Sequence, residues 1–129
     1  MKIKTVLFGL ILAVVIALIP HLSVAQELPS LKQGMPYSKA RTILLNSGWQ
    51  AVFNREILNL QTTVPEEYFF NQKEYTEIVS CASSGLGLCL FKFQNAYGKE
   101  LMVSTQQPDG GDSAQLFQWW IEKPDCKPE

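Results

Sequence analysis

Between Glu77 and Lys123 the chain repeats one pattern: short runs of alternating apolar and polar residues, broken by turn sequences. Cys89-Leu90-Phe91-Lys92-Phe93-Gln94 alternates, Leu101-Met102-Val103-Ser104-Thr105 alternates again, and Ala114 to Lys123 is the last run. Ile78–Cys81 is a shorter strand ahead of them. Tyr97-Gly98 and Pro108-Asp109-Gly110-Gly111-Asp112 separate the runs and carry turn residues. A side-chain period of two means strands, and strands joined by short turns pair as an antiparallel meander. This half of the chain is thereby limited to a three- or four-stranded antiparallel sheet.

Carried straight along each run, the alternation puts Phe91, Phe93, Leu101, Val103, Phe117, Trp119 and Ile121 on one face, the expected core face. The other face takes Leu90, Lys92, Gln94, Met102, Ser104, Leu116, Gln118, Trp120 and Glu122. Leu90, Met102, Leu116 and Trp120 make this second face more apolar than a solvated one. Either residues 54–76 fold over it, or it is a contact surface. Those four residues are the candidate interaction surface.

Ahead of the strands, Met35 to Gly48 reads as one helix of about three turns. Pro36 suits its first turn and Gly48 its C-terminal stop. Tyr37, Ala40, Leu44 and Ile43 share one side at helical spacing. So short a helix is marginal alone and must dock on the core face of the sheet. Trp49–Phe53 is an extended return. Residues 54–76 have no clean period; Glu66–Asn71 is a second short helix candidate, with Glu66 and Glu67 suiting its positive N-terminal end.

Residues 1–25 hold 18 apolar side chains, two lysines and the chain's only histidine, His21. A basic start, an apolar run from Val6 to Ile19, Pro20 and Ser23-Val24-Ala25 form the layout of a secretory signal peptide cleaved after Ala25. The run has 14 residues, about 21 Å of helix against a hydrocarbon core of about 30 Å. It is too short to span comfortably, so no stable membrane anchor is expected after cleavage. Residues 26–122 then form a single domain and residues 123–129 a polar tail. An exported location, periplasmic or extracellular, makes disulfides admissible. Cys81, Cys89 and Cys126 allow three single pairings. Cys81 and Cys89 flank a glycine-bearing loop between strand-like residues, so a bridge there would staple a hairpin. Cys126 is left as a free thiol or an intermolecular handle.

Without residues 1–25 the chain has no histidine, which excludes a Ser-His-Asp triad, a Cys-His pair or a histidine metal centre. Three cysteines without C-x-x-C spacing do not match zinc, and no metal or other cofactor is expected. Carboxylates are the remaining acid–base groups; nothing places a pair among Glu66, Glu67, Glu74 and Glu77 around a cleft, and helix-start or surface roles account for these four. Asp109 and Asp112 around two glycines are a turn rather than a calcium site. Ser83-Ser84-Gly85-Leu86-Gly87 lacks the G-x-S-x-G pattern, following helix and base of a nucleophile elbow, and it is no phosphate loop because Leu88 stands where the lysine belongs. With 9 basic against 12 acidic residues after Ala25, and Lys92 and Lys99 sparse beside aromatics, nucleic acid is disfavoured.

Gly34-Met35-Pro36-Tyr37-Ser38-Lys39-Ala40-Arg41, running on to Gly48-Trp49, resembles the opening helix of an uncharacterised group of small exported bacterial α+β proteins. Glu77–Cys81, Gly85-Leu86-Gly87, Cys89–Phe93 and Gly98–Leu101 resemble that group's second signature. A more distant likeness is to β-lactamase-inhibitor-like modules and small outer-membrane-assembly modules, which open with a G-M-x-x-x-x-A/V helix and continue into an antiparallel sheet. Neither likeness supplies a catalytic residue, and the lipid-bearing cysteine of the assembly modules has no counterpart here.

The expected fold is α+β: a helix first, packed on a three- to four-stranded antiparallel meander with one local disulfide. The expected function is that of an exported, non-enzymatic binding or inhibitor module with a protein partner. A structural or assembly component of the cell envelope, dimerising through Cys126, is the alternative. A small carboxylate hydrolase is a third reading, and it requires a cleft around Glu66 or Glu77.

Overall fold

The computed structural model describes residues 28–82, 85–107 and 113–123. The signal-like residues 1–25, Ser83-Ser84, the turn with Asp109 and Asp112, and Cys126 in the tail lie outside the described residues. Helix α1 spans Tyr37–Asn46, with Pro36 just ahead of its first turn. Gly48, at φ 88°, closes it. The Gly48 amide donates to Leu45 O and the Trp49 amide to Leu44 O, a pair of bonds that needs a left-handed residue after the helix. This turn drops Trp49 onto Leu44, and both side chains are buried.

Five antiparallel strands follow: β1 (Gln50–Ala51), β2 (Ile78–Cys81), β3 (Cys89–Gln94), β4 (Glu100–Gln106) and β5 (Gln115–Glu122). β2 to β5 form the expected meander. β1 is an addition: it pairs with Phe93 and Gln94 of β3, beyond the stretch of β3 that β2 occupies. Cys81 and Cys89 are directly opposite in the β2–β3 register and are joined by a disulfide. Closing a loop this short is worth about 2.5 kcal/mol through the entropy of the unfolded chain.

Tyr37, Ala40 and Leu44 of α1 meet Phe91, Phe93, Leu101 and Val103 of the sheet in one core. Residues 54–76 enter the same core. A 3-10 turn (Glu56–Leu58) buries Ile57. Helix α2 (Val64–Glu67) runs on as a π-helical turn (Tyr68–Gln72) that buries Phe69. Phe69 lies edge-on to Phe91 with ring centroids 5.4 Å apart, and Tyr37 stacks on Phe91 at 4.0 Å. Residues 54–76 therefore thicken the layer on the α1 side of the sheet. At the margin of the other face, Arg55 and Leu60 of this segment line a groove with Phe53, Val79 and Lys92.

The straight-through alternation fails in β5. Thr105 pairs with Leu116, but Ser104 pairs with Gln118, so Phe117 is the extra residue of a β-bulge. One inserted residue changes the facing between the two parts of the strand: Trp119 and Ile121 keep the expected face opposite Val103 and Leu101, and the residues before Phe117 take the reverse. Leu116, expected on the outer face, is completely buried in the core, and Ala114 joins it. Phe117 leaves the core face, and Ile121 at the strand's end is 41% exposed.

Candidate functional site

Two arrangements are distinctive: a buried polar cluster and the outer face of the sheet. The cluster centres on Glu77, which precedes β2 and is fully buried. Glu77 was expected at the surface or a helix start, and its burial corrects that reading. Its Oε1 accepts from Tyr37 Oη at 2.8 Å and from Arg41 Nε at 2.6 Å, and its Oε2 from Arg41 Nη2 at 3.5 Å. Tyr37 and Arg41 stand one turn apart on α1, so both reach the same carboxylate. The Arg41 guanidinium also lies over the Tyr75 ring, 4.8 Å from its centroid. A buried carboxylate needs such compensation.

Burial, and then the adjacent Glu77 charge, push the Tyr37 phenol well above its ordinary 10.0. For Arg41, burial by itself works to lower the guanidinium, and the hydrogen bond and charge of Glu77 outweigh it, so the net direction is up. Tyr37 sets an alkaline limit. Its folded value is raised, so the folded state holds the proton more tightly than the unfolded chain. The resulting stability is complete below about pH 10 and is lost as pH climbs toward the folded value. Urea unfolding at neutral pH and above pH 10 should show wild type losing stability faster than Tyr37→Phe across that window. Equal alkaline slopes would remove Tyr37 from the linkage.

Glu66 has the helix-start role expected of it. Thr63 and Glu66 form a capping box at the start of α2, and Glu66 Oε1 also accepts from the Cys81 amide at 3.4 Å. The hydrolase reading needs a cleft around Glu66 or Glu77. Glu77 has no solvent access, and the Glu66 oxygens are occupied by the amides of Thr63 and Cys81. Among the described residues no group of three or more His, Cys, Asp or Glu is placed to hold a metal ion.

The outer face carries two cross-strand rows. Lys92, Met102 and Trp120 are in register across β3, β4 and β5, as are Leu90, Ser104 and Gln118. Of the four candidate contact residues, Trp120 is 41% exposed and Leu90 half-buried. Met102 is 6% exposed, set in register between Lys92 and Trp120. Leu116 is core and leaves the set. Trp120 Nε1 donates to Glu122 Oε2 at 2.8 Å, which holds the indole along the strand. A groove beside it is lined by Gln33, Phe117, Gln118 and Trp119. Phe117 and Gln33 were not anticipated there; the bulge that turns the half-buried Phe117 off the core face has no local sequence signal. Among the described residues no helix is long and apolar enough to cross a membrane. No protein-family model, curated protein or solved structure matches the chain.

Proposed function

We propose that this chain is an exported, non-enzymatic protein-binding module of inhibitor type that presents the outer face of its sheet to a partner protein. The observation that carries this reading is the position of Trp120. It stands on a face over which no described helix is layered, in register with Met102 and Lys92, and stays 41% exposed. Large aromatics at the centre of a patch with a charged margin are the usual anchors of protein interfaces. The disulfide suits an oxidising compartment. The histidine-free mature sequence and the commitment of Glu77 to Arg41 and Tyr37 favour binding over catalysis.

Trp120→Ser and Leu90→Ser test the face without emptying the core. Both are expected to keep the circular dichroism and melting temperature close to the parent chain. Trp120→Ser should weaken capture of a periplasmic partner by about 2 kcal/mol or more, the scale of an aromatic hot spot. Met102→Ser is the wrong probe, because its side chain is already buried. Full retention of the captured partner by both folded variants would refute this contact surface.

A further inference from the structure

β5 is the last strand of the sheet, and its outer edge is only half covered. Over its first residues the edge is closed by the chain ahead of α1. The Leu116 amide donates to Met35 O, Leu116 O accepts from the Gly34 amide, and Ala114 O accepts from the Tyr37 amide. Past Leu116 no described residue gives the outer edge of β5 a backbone partner.

The hydrogen-bonding phase identifies which groups are left. Both main-chain groups of Leu116 point away from β4, so Thr105–Leu116 is a non-hydrogen-bonded pair of that ladder. The odd residues of β4 turn toward β3 instead, in step with the Gln107 amide, which donates to Leu86 O on that side. Glu100, Met102 and Ser104 therefore face β5, and their partners Glu122, Trp120 and Gln118 face back. Trp119 and Ile121 are left with amide and carbonyl directed outward.

On the opposite side of the sheet, side chains cover β2: Asn54 Nδ2 donates to Ile78 O and Val79 O, and Glu66 takes the Cys81 amide. An unpaired edge can add one strand, and a second copy adding its own β5 edge closes the pair about a two-fold axis.

We propose that two copies of this chain pair antiparallel through β5, about a two-fold axis at Trp120, to form one continuous sheet. In this register Trp119 and Ile121 of each copy exchange both backbone bonds with Ile121 and Trp119 of the other, so all their outward groups are satisfied. The side chains agree with the backbone. Trp120 meets its own copy on the outer face, Gln118 lies opposite Glu122, and Trp119 lies opposite Ile121 on the α1 side. Gln118 gives the Glu122 carboxylate an amide donor; within its own sheet Glu122 is opposite Glu100, a like charge. A one-residue shift would set outward-facing residues against inward-facing ones. A two-residue shift toward the C-terminus would need Lys123, past the end of β5. Trp120 and Ile121, both 41% exposed, are covered by the pairing. The contact is short, so the dimer is of the weak, micromolar class. Pairing covers Trp120, on which the proposed partner contact also rests, so a second copy and a partner protein compete for that residue.

Sedimentation of the full chain from low micromolar to millimolar concentration should show a monomer–dimer equilibrium. Ile121→Pro removes an amide that β4 does not use, and should weaken dimerisation at least about tenfold with the circular dichroism unchanged. In a Cys126→Ser background, mixing Gln118→Cys with Glu122→Cys should give a crosslinked heterodimer on mild oxidation, while Gln118→Cys alone should not crosslink. Trp120 is retained in both partners, and the crosslink reports the register even if Ile121→Pro fails to fold. Wild type that stays monomeric throughout, a folded Ile121→Pro that dimerises as wild type does, or absence of the mixed crosslink each overturns the proposal.

Discussion

Arg41→Met is expected to cost about 3 kcal/mol of stability, and to lower the melting temperature by roughly 12–24 °C for a domain of this size. The cause is not the loss of a favourable ion pair. It is the carboxylate left behind. Glu77 is fully buried and has two described side-chain partners, Arg41 and Tyr37. Without the guanidinium, one hydroxyl must hold a charge taken out of water. The Arg41 side chain is 25% exposed, so some water can follow it in, and the lower end of the range for broken buried pairs applies. Glu77→Gln keeps the shape and removes the charge, and should cost less. The double variant Arg41→Met with Glu77→Met should recover much of the loss, because a packed apolar pair avoids desolvating either ion. Chemical denaturation of the parent chain, Arg41→Met, Glu77→Met and the double variant gives the cycle. Equal losses for the single and double variants would mean that the pair itself, rather than the orphaned charge, carries the stability.

Phe91→Ala is expected to cost about 3–5 kcal/mol, and in a domain with 5–15 kcal/mol in total it brings the fold near its limit. Phe91 is the point where three separate pieces of chain meet. Tyr37 of α1 stacks on it, Phe69 of the π-helical turn lies edge-on, and Ile78 of β2 is its cross-strand partner. No one of them can collapse into the space without leaving the others, so the cavity stays open. Phe53→Ala is the control: Phe53 is largely exposed, and its loss should cost far less. Comparable midpoints for the two variants would show that the aromatic cluster is not the centre of the core.

These two predictions divide residues by how far their roles were legible in the sequence. Phe91 was placed on the core face by alternation within β3 alone, and Tyr37, Ala40 and Leu44 by helical spacing. The Cys81–Cys89 bridge was legible too, because two strands and a short loop put the cysteines opposite each other. Glu77 was not. A glutamate among polar neighbours looks solvated, and its partners lie 36 and 40 residues earlier. The hint was that Tyr37 and Arg41 stand four apart, so an arginine borders the buried stripe of α1. Leu116 failed for a different reason. Its facing depends on a bulge at Phe117, and alternation carried through an inserted residue gives the wrong face. Residues 54–76 were unreadable because their apolar groups come adjacent rather than periodic. Of the three adjacent aromatics only Phe69 is fully inserted, with Tyr68 and Phe70 partly buried beside it.

The sequence by itself determined the fold class, the meander, the helix and its stop at Gly48, and the staple. All of these rest on interactions between residues close along the chain, whose spacing is written in the order of side chains. The tertiary structure alone decided that Glu77 is buried and paired, that Leu116 belongs to the core, that residues 54–76 layer on the α1 side, and that no described residue pairs with the β5 edge past Leu116. Each of those depends on which distant backbone or side-chain group fills a hydrogen bond or a volume, and local spacing does not encode that choice.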